Sequence, residues 1–160
     1  DFFKRNLCNL RNLWFHIFKE TRTMSDLRFD MPEQSDPADV AFVHNGLRRH
    51  NAQFVPSAYR PLNIFLRDAD GAIVGGLLGH LYWGWLSVET LWVDERYRGQ
   101  GLLDMAEAAA RRHGCAHGQL DTLTFQARPF YEARGYRVYG ELADFPAGTE
   151  YARYYLTKVL

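Results

Sequence analysis

Two arginines and two glycines lie at the joint between an apolar strand pattern and a helical one. The stretch "VDERYRGQGLL" contains Arg96, Arg98, Gly99 and Gly101, and an alanine-rich helical pattern follows it as far as Gly114. A helix N-terminus leaves about four backbone N–H groups without intrahelical partners and carries a partial positive charge, so it binds anions. Glycines let the backbone approach an oxygen closely, and arginines add charge-assisted hydrogen bonds. The joint therefore predicts a phosphate-binding site.

Two common nucleotide-binding fingerprints do not fit this joint. A P-loop needs a lysine followed by Ser or Thr after its last glycine, whereas Leu102 and Leu103 stand there. A Rossmann fingerprint needs a glycine where this chain has Asp104, and it should follow the first strand of its unit. The phosphate compound must therefore be recognised in another way.

The first half of the chain predicts elements that lead up to the joint. Residues 26–31, "DLRFDM", predict a short strand, and Asp36 before Pro37 predicts the start of a helix. Three apolar runs follow in residues 62–94, separated by turn residues. This texture predicts an antiparallel meander that ends at the joint.

The second half continues the alternation of helix and strand. Residues 101–114 predict a helix, and residues 119–125 predict a strand. The stretch "RPFYEARGY" predicts a short helix with Pro129 near its start and Gly135 as its C-cap, and two more strands complete the chain. The expected fold class is mixed α/β, with a single domain over residues 24–160.

Composition narrows the classes of partner. Lysine plus arginine equals aspartate plus glutamate at 19 each, so no global field draws the chain to nucleic acid or to a membrane surface. Cys8 and Cys115 match no zinc spacing or disulfide framework, which is typical of the cytoplasm. Gly114 should end its helix between His113 and His117, so we expect no metal site there.

The first 23 residues differ from the rest in their pattern of apolar and charged residues. Leu7, Leu10, Trp14 and Ile17 fall at helical spacing, which predicts an amphipathic helix. Because "MSDLRFDMPE" from Met24 reads as a natural start, residues 1–23 are either an extraneous extension or a native docking helix. In the second case the apolar stripe would pack on the domain or across a homodimer.

The joint resembles the strand, pyrophosphate loop and helix of the GCN5-related N-acetyltransferases, the GNAT superfamily. The loop pattern of that family is Gln or Arg, two residues, Gly, one residue, then Gly or Ala, and Arg96, Gly99 and Gly101 satisfy it. If the same pattern is placed two residues later, Arg98 and Gly101 match it, but Leu103 stands at the position of the final small residue. Both registers remain open.

A second stretch, "FQARPFYEARGY", strengthens the resemblance, which covers roughly residues 25–160. It is similar to the late helix of the family, in which a tyrosine follows an alanine by four residues, as Tyr131 follows Ala127. Thr124 stands where the family often has an asparagine. The resemblance implies a splayed, mostly antiparallel central sheet flanked by helices, with acetyl-CoA as co-substrate and no metal. It also implies contacts to the cofactor by Leu91, Trp92, Val93, Arg96, Arg98, Gly99, Gln100, Gly101, Leu102, Leu103 and Thr124.

The resemblance also implies roles in catalysis. Acetyl transfer needs a neutral amine, a polarised thioester carbonyl and a proton for the departing thiolate. Glu89 lies on the strand that the resemblance places beside the acetyl group and is the first candidate for the base; Asp94, Glu95 and Glu141 remain alternatives. A backbone N–H near Trp92 or Val93 would polarise the carbonyl. Tyr131 would protonate the sulfur.

The acceptor is left open by the sequence. A small-molecule amine receiving the acetyl group by direct transfer is the first expectation, because the balanced charge indicates no peptide-binding surface. A protein lysine or N-terminus is one alternative. A non-catalytic sensor that binds acyl-CoA is another.

Overall fold

The computed structural model of the chain describes residues 27–56 and 58–160. The predicted helix at residues 1–23 lies outside the described residues. The described chain belongs to two units, with the boundary between Val43 and His44.

Residues 27–36, in the first unit, form no helix or strand. The prediction of a strand at residues 26–31 is therefore wrong over its described part. The alternating side chains of Phe29 and Met31 are 98% and 96% exposed, so the apolar alternation is not matched by burial. Helix α1, Pro37–Asn51, begins as predicted, because the Asp36 carboxylate accepts a hydrogen bond of 2.8 Å from the N–H of Ala38.

The second unit contains a six-stranded sheet with the order β1-β2-β3-β4-β6-β5. Its elements are β1 (Arg60–Arg67), β2 (Ile73–Tyr82), β3 (Trp85–Val93), α2 (Leu102–Arg112), β4 (His117–Leu123), α3 (Arg128–Glu132), β5 (Arg137–Ala143) and β6 (Ala152–Val159). All neighbouring strands are antiparallel except β3 and β4, which are parallel. The predicted meander corresponds to β1–β3, and the later predicted elements are present within two residues of the expected starts.

The parallel pair opens towards the joint. Strands β3 and β4 are paired only over Trp85–Val88 and His117–Leu120, although both strands continue beyond these residues. We call the gap beyond this paired segment the cleft. The predicted splayed sheet is confirmed.

A β-bulge lies on β3 where the cleft begins. Val88 pairs with Gly79 and Thr90 pairs with Leu78, so Glu89 is the extra residue. Such a bulge bends the strand and redirects its side chains. Gly79 is required beside it, because a Cβ at this position would collide with the backbone carbonyl of Ser87.

The core lies between the sheet and the helices α2 and α3. The largest fully buried aliphatic side chains in this core are Leu77, Leu86, Leu103 and Leu156, at 0–2% exposure. Each buried leucine contributes about 2 kcal/mol through removal of apolar surface from water.

A buried ion pair also holds helix α2 on the sheet. The Glu107 carboxylate, 2% exposed, accepts hydrogen bonds of 2.7 and 2.9 Å from Lys158 Nζ on β6. Apolar packing and this ion pair together fix helix α2, and with it the loop at the N-terminus of the helix.

Candidate active site

The loop before α2 begins with a short 3-10 turn, Glu95–Tyr97, capped by Asp94. The Asp94 carboxylate accepts hydrogen bonds from the backbone N–H of Arg96 at 3.0 Å, from its Nε at 3.1 Å and from its Nη2 at 2.9 Å. These hydrogen bonds lower the pKa of Asp94 to about 2. Arg96 is therefore fixed at the start of the loop by a carboxylate that is ionised at neutral pH.

Arg98 lies at the end of this turn and reaches back to β3. Its Nε donates to the carbonyl oxygen of Val93 at 3.4 Å, and its Nη2 lies 3.2 Å from the Glu95 carboxylate. Two arginines and two acidic residues therefore share this turn, so its side-chain charges balance. Any anion specificity must come from the backbone groups that follow.

Within the described part of the chain, backbone N–H groups lie unpaired in the loop where the sequence predicts a phosphate-binding site. Gly99 and Gly101 have φ angles of 84° and 73°, a region that favours glycine, and Gly101 is the N-cap of α2. The first hydrogen bond of the helix runs from Met105 N–H to Gly101 C=O at 2.9 Å. The N–H groups of residues 99–104 make no hydrogen bond to any residue that the structure describes. These N–H groups can donate to an anion at the positive end of α2, and we call this position the anion site.

The side chains of this segment differ in position. The carboxylate of Asp104 lies beside Gly101, with its Oδ2 3.6 Å from where a Cβ would stand there. Leu102 and Leu103 are 6% and 2% exposed and belong to the core, whereas Gln100 is exposed. Leu103, which departs from the family pattern, therefore fills core volume and leaves the loop surface free. Only the backbone of these two leucines is available to a ligand.

Strand β3 presents further backbone groups to the cleft. The N–H of Asp94 donates to the carbonyl of Val74 on β2 at 2.9 Å. Because hydrogen-bonded and non-hydrogen-bonded pairs alternate along an antiparallel ladder, the N–H of Trp92 is directed to β2 and those of Leu91 and Val93 to the cleft. Val93, rather than Trp92, thus offers a donor there.

Glu89 has a partner that the sequence reasoning did not identify. Its Oε1 lies 2.8 Å from Nδ1 of His80 on β2, and the two side chains are 60% and 22% exposed. Tyr59 stacks on the His80 ring with centroids 5.1 Å apart. Glu89 lies two residues beyond Ser87, the partner of His80, so the two side chains are diagonal neighbours across the β2–β3 ladder.

The alternative bases lie in less suitable places. Asp94 and Glu95 are engaged with Arg96 and Arg98, as described above. Glu141 lies on the edge strand β5, which β4 and β6 separate from β3. Among the carboxylates predicted as bases, Glu89 alone lies on β3 at the start of the cleft.

Tyr131 lies on α3 and is 7% exposed. Its ring contacts Phe130 and Tyr136, with centroids at 5.1 and 6.0 Å. Burial raises the pKa of Tyr131, and the charge of Asp121 adds to the effect. The phenol is therefore protonated at neutral pH, as a proton donor must be.

Thr124 contributes to the structure at the end of β4. Its hydroxyl donates to the carbonyl of Ala152 at 3.1 Å and accepts from the N–H of the same residue at 2.8 Å. The side chain is thus committed to holding β4 against the start of β6.

A concave feature of the described residues lies away from the loop. A cavity of about 240 Å³ lies beside the β2–β3 turn, with Tyr59, Arg60, Trp83, His113 and Cys115 in its wall. His113 follows the C-terminus of α2, about 16 Å along the helix from the anion site. Within residues 27–56 and 58–160, no three His, Cys, Asp or Glu side chains come together as a metal site requires. No helix in these ranges is long and apolar enough to cross a membrane.

Comparisons with known proteins agree with this geometry. The model of the acetyltransferase (GNAT) family matches residues 12–136. The chain is 37% identical to an acetyltransferase of Agrobacterium fabrum over 127 residues, which are 76% of this chain and 93% of that protein. It is 43% identical to the blasticidin-S acetyltransferase of Streptomyces morookaense over 97 residues, 56% of this chain and 71% of that protein.

A solved structure extends the agreement to the fold. The crystal structure of a protein from Agrobacterium tumefaciens assigned as an acetyltransferase superposes with a TM-score of 0.75 at 34% identity, covering 84% of this chain and 100% of that one. The splayed sheet, the loop at the start of α2 and these matches together define the class. The chain belongs to the GNAT family of N-acetyltransferases.

Proposed function

We propose that the chain transfers the acetyl group of acetyl-CoA directly to the amino group of a small molecule. The observation that carries the proposal is the continuity of two sets of backbone groups, the free N–H groups of residues 99–104 and the N–H groups of Leu91 and Val93 beside them. Together they offer one surface for the pyrophosphate and for the extended arm of a single cofactor. Enzymes of the GNAT family use acetyl-CoA.

In this proposal the loop binds the pyrophosphate. Backbone N–H groups donate to its oxygens, the positive end of α2 favours its charge, and Arg98 lies at the edge of the site. Strand β3 binds the pantetheine arm through the backbone of Leu91 and Val93. The N–H of Val93 or Leu91 then donates to the thioester oxygen as negative charge develops on it, an interaction that contributes about 3 kcal/mol to lowering the barrier.

The acceptor amine enters the cleft from the polar face of the sheet. Val88 and Leu120 form the last pair of β3 with β4, and the next residues are Glu89 and Asp121. Glu89 is 60% exposed, and Asp121 is 44% exposed with Arg153 at 3.3 Å. Because Arg153 offsets the charge of Asp121, Glu89 is the carboxylate that favours a cationic ammonium over an anionic acceptor at the opening.

The ammonium must lose a proton before it attacks. For an alkyl ammonium of pKa near 10.4, reaching the neutral form at pH 7 costs about 4.6 kcal/mol, at about 1.36 kcal/mol per unit. The Glu89–His80 pair is the group that takes up this proton. Tyr131 supplies the proton to the departing thiolate from the side of α3.

The relative named for blasticidin S supports a small molecule as the acceptor. The test is release of CoA thiol from acetyl-CoA with a panel that contains blasticidin S, other small amines, and peptides with a free lysine or N-terminus. We expect thiol release that depends on a small amine. Release with peptides alone would assign a protein acceptor, and binding of acetyl-CoA without release would assign a sensor.

A further inference from the structure

The contact between His80 and Glu89 fixes the tautomer of the imidazole. An ionised carboxylate only accepts hydrogen bonds, so at 2.8 Å the Nδ1 atom of His80 must carry the hydrogen. In a neutral imidazole the other nitrogen, Nε2, then carries a lone pair. No residue that the structure describes donates a hydrogen bond to this Nε2. The pair therefore presents one oriented basic nitrogen.

The surroundings of His80 hold the ring in place. Tyr59 stacks on it at an interplanar angle of 29°, and the edge of Tyr82 meets Tyr59 at a centroid distance of 6.2 Å. The Arg48 guanidinium lies 5.8 Å from the centre of the Tyr59 ring, so it is near Tyr59, the residue that stacks on His80. The titratable and charged groups around His80 are thus Glu89 from β3, Tyr59 before β1, Tyr82 on β2, and Arg48 beyond Tyr59. Glu89 is the one that contacts the imidazole nitrogen.

We infer that Nε2 of His80 accepts the proton of the acceptor amine and that Glu89 acts as a positioning residue for the imidazole. The inference rests on the proposed acetyl transfer. Nε2 first takes one proton from the ammonium and passes it to solvent. The neutral amine nitrogen then forms a bond to the carbonyl carbon, its second proton passes to Nε2, and the C–S bond breaks with its electron pair going to sulfur. The thiolate takes a proton from water or from Tyr131, which then regains one from solvent, and the imidazolium returns its proton to solvent.

The chemistry of the two groups decides between them as proton acceptors. An imidazole is intrinsically a stronger base than a carboxylate. In the tautomer that the contact with Glu89 imposes, the lone pair of Nε2 is free to accept a proton. Glu89 then acts as a positioning residue, because its carboxylate orients the ring and stabilises the imidazolium once it forms.

Two near-isosteric replacements separate these assignments. His80→Asn keeps an N–H donor close to the position of Nδ1 and removes Nε2, whereas Glu89→Gln keeps an oxygen acceptor for Nδ1 and removes the charge. We expect His80→Asn to lower kcat/KM by about 10² or more and to abolish the acidic limb of its pH profile. We expect Glu89→Gln to lower kcat/KM by about tenfold and to keep an acidic limb, because Nε2 of His80 is still present.

The controls distinguish the inference from the proposed function. His113→Asn changes an exposed histidine outside the cleft and should leave the profile unchanged. If the wild-type chain transfers acetyl groups and His80→Asn retains the wild-type profile, the inference fails while the proposed function stands. If Glu89→Gln alone loses the acidic limb, Glu89 is the base. A wild-type chain that releases no thiol with any amine overturns both.

A readout without turnover tests the same geometry. Nitrogen-15 chemical shifts of the His80 imidazole at pH 8 should show hydrogen on Nδ1 and none on Nε2. In Glu89→Ala the preference for this tautomer should weaken. A wild-type imidazole with hydrogen on Nε2 would overturn the inference, because that nitrogen could not accept the proton.

Discussion

Gly101 is the residue at which the anion site can be tested most sharply. Gly101→Glu introduces a carboxylate at the N-cap of α2, among the free N–H groups that we assign to the pyrophosphate. The chain offers a matched control in Gly114→Glu just beyond the other end of the same helix. Both glycines have similar positive φ angles, 73° and 77°, and at neither position would a new Cβ come closer than 3.6 Å to another residue. The two variants therefore share the backbone strain and the added charge and differ in position.

The expected losses of stability and of acetyl-CoA affinity can be estimated for the two variants. A non-glycine residue in the left-handed region costs about 1–2 kcal/mol, so both variants should lose similar stability, with a small further cost for a carboxylate at the C-terminal end of a helix. A carboxylate about 5 Å from a pyrophosphate of two charges repels it by about 1.7 kcal/mol at the dielectric constant of water and about 6.6 kcal/mol at an effective value of 20. The affinity for acetyl-CoA should fall between about 20-fold and more than 10⁴-fold in Gly101→Glu.

Isothermal titration calorimetry with acetyl-CoA measures this difference directly, and thermal unfolding shows that both variants are folded. We expect Gly114→Glu to bind within about threefold of the wild type, since its charge lies some 16 Å or more from the site and is screened. Unchanged affinity in a folded Gly101→Glu variant would remove the loop from the cofactor site. Equal losses in both variants would refute the electrostatic reasoning and indicate a general effect on the fold.

Three further predictions concern the acid, the loop turn and the buried ion pair. Tyr131→Phe removes only the hydroxyl, so kcat should fall by about 10² or more with acetyl-CoA affinity unchanged; a wild-type kcat with chemistry rate-limiting would assign the proton to water. Because the pKa of Asp94 is lowered from 3.8 to about 2, its stabilisation is complete above about pH 5 and is lost as the pH falls through 2. Urea unfolding should therefore show Asp94→Asn less stable than wild type at about pH 5 and equal to it at about pH 1, and a difference that persists at about pH 1 would contradict this. Glu107→Ala leaves Lys158 without its carboxylate and should cost about 2–4 kcal/mol in the same assay at pH 7, whereas a loss below about 0.5 kcal/mol would show that the pair is dispensable.

The order of elements and the loop could be predicted because local rules determine them. Asp36 before Pro37 specifies a helix start, and glycines at 99 and 101 before an alanine-rich run specify a turn into a helix. The strand expected at residues 26–31 shows the limit of the same rules. Apolar alternation describes a strand only when a neighbouring strand and a buried face accept it.

The bulge at Glu89 could not be predicted, although the register of the hairpin alone places Glu89 diagonal to His80 on the same face. Trp83 and Gly84 both have positive φ angles and form a two-residue turn, which sets a register that pairs His80 with Ser87. Extended without interruption, this register would place Glu89 opposite Leu78. The bulge at Glu89 shifts the ladder by one residue, and nothing in the local sequence except Gly79 indicates it. The placement of Thr124 and Leu103 likewise depends on packing between distant elements.

A crystal structure of the chain with acetyl-CoA tests the central claim most directly. We expect pyrophosphate oxygens within hydrogen-bonding distance of backbone N–H groups in residues 99–104, and the thioester oxygen at the N–H of Leu91 or Val93. The acetyl carbon should lie in the cleft between β3 and β4, on the side of the Glu89–His80 pair. Acetyl-CoA bound elsewhere, for example with its pyrophosphate at the cavity beside Arg60 and His113, would contradict the assignment of the site.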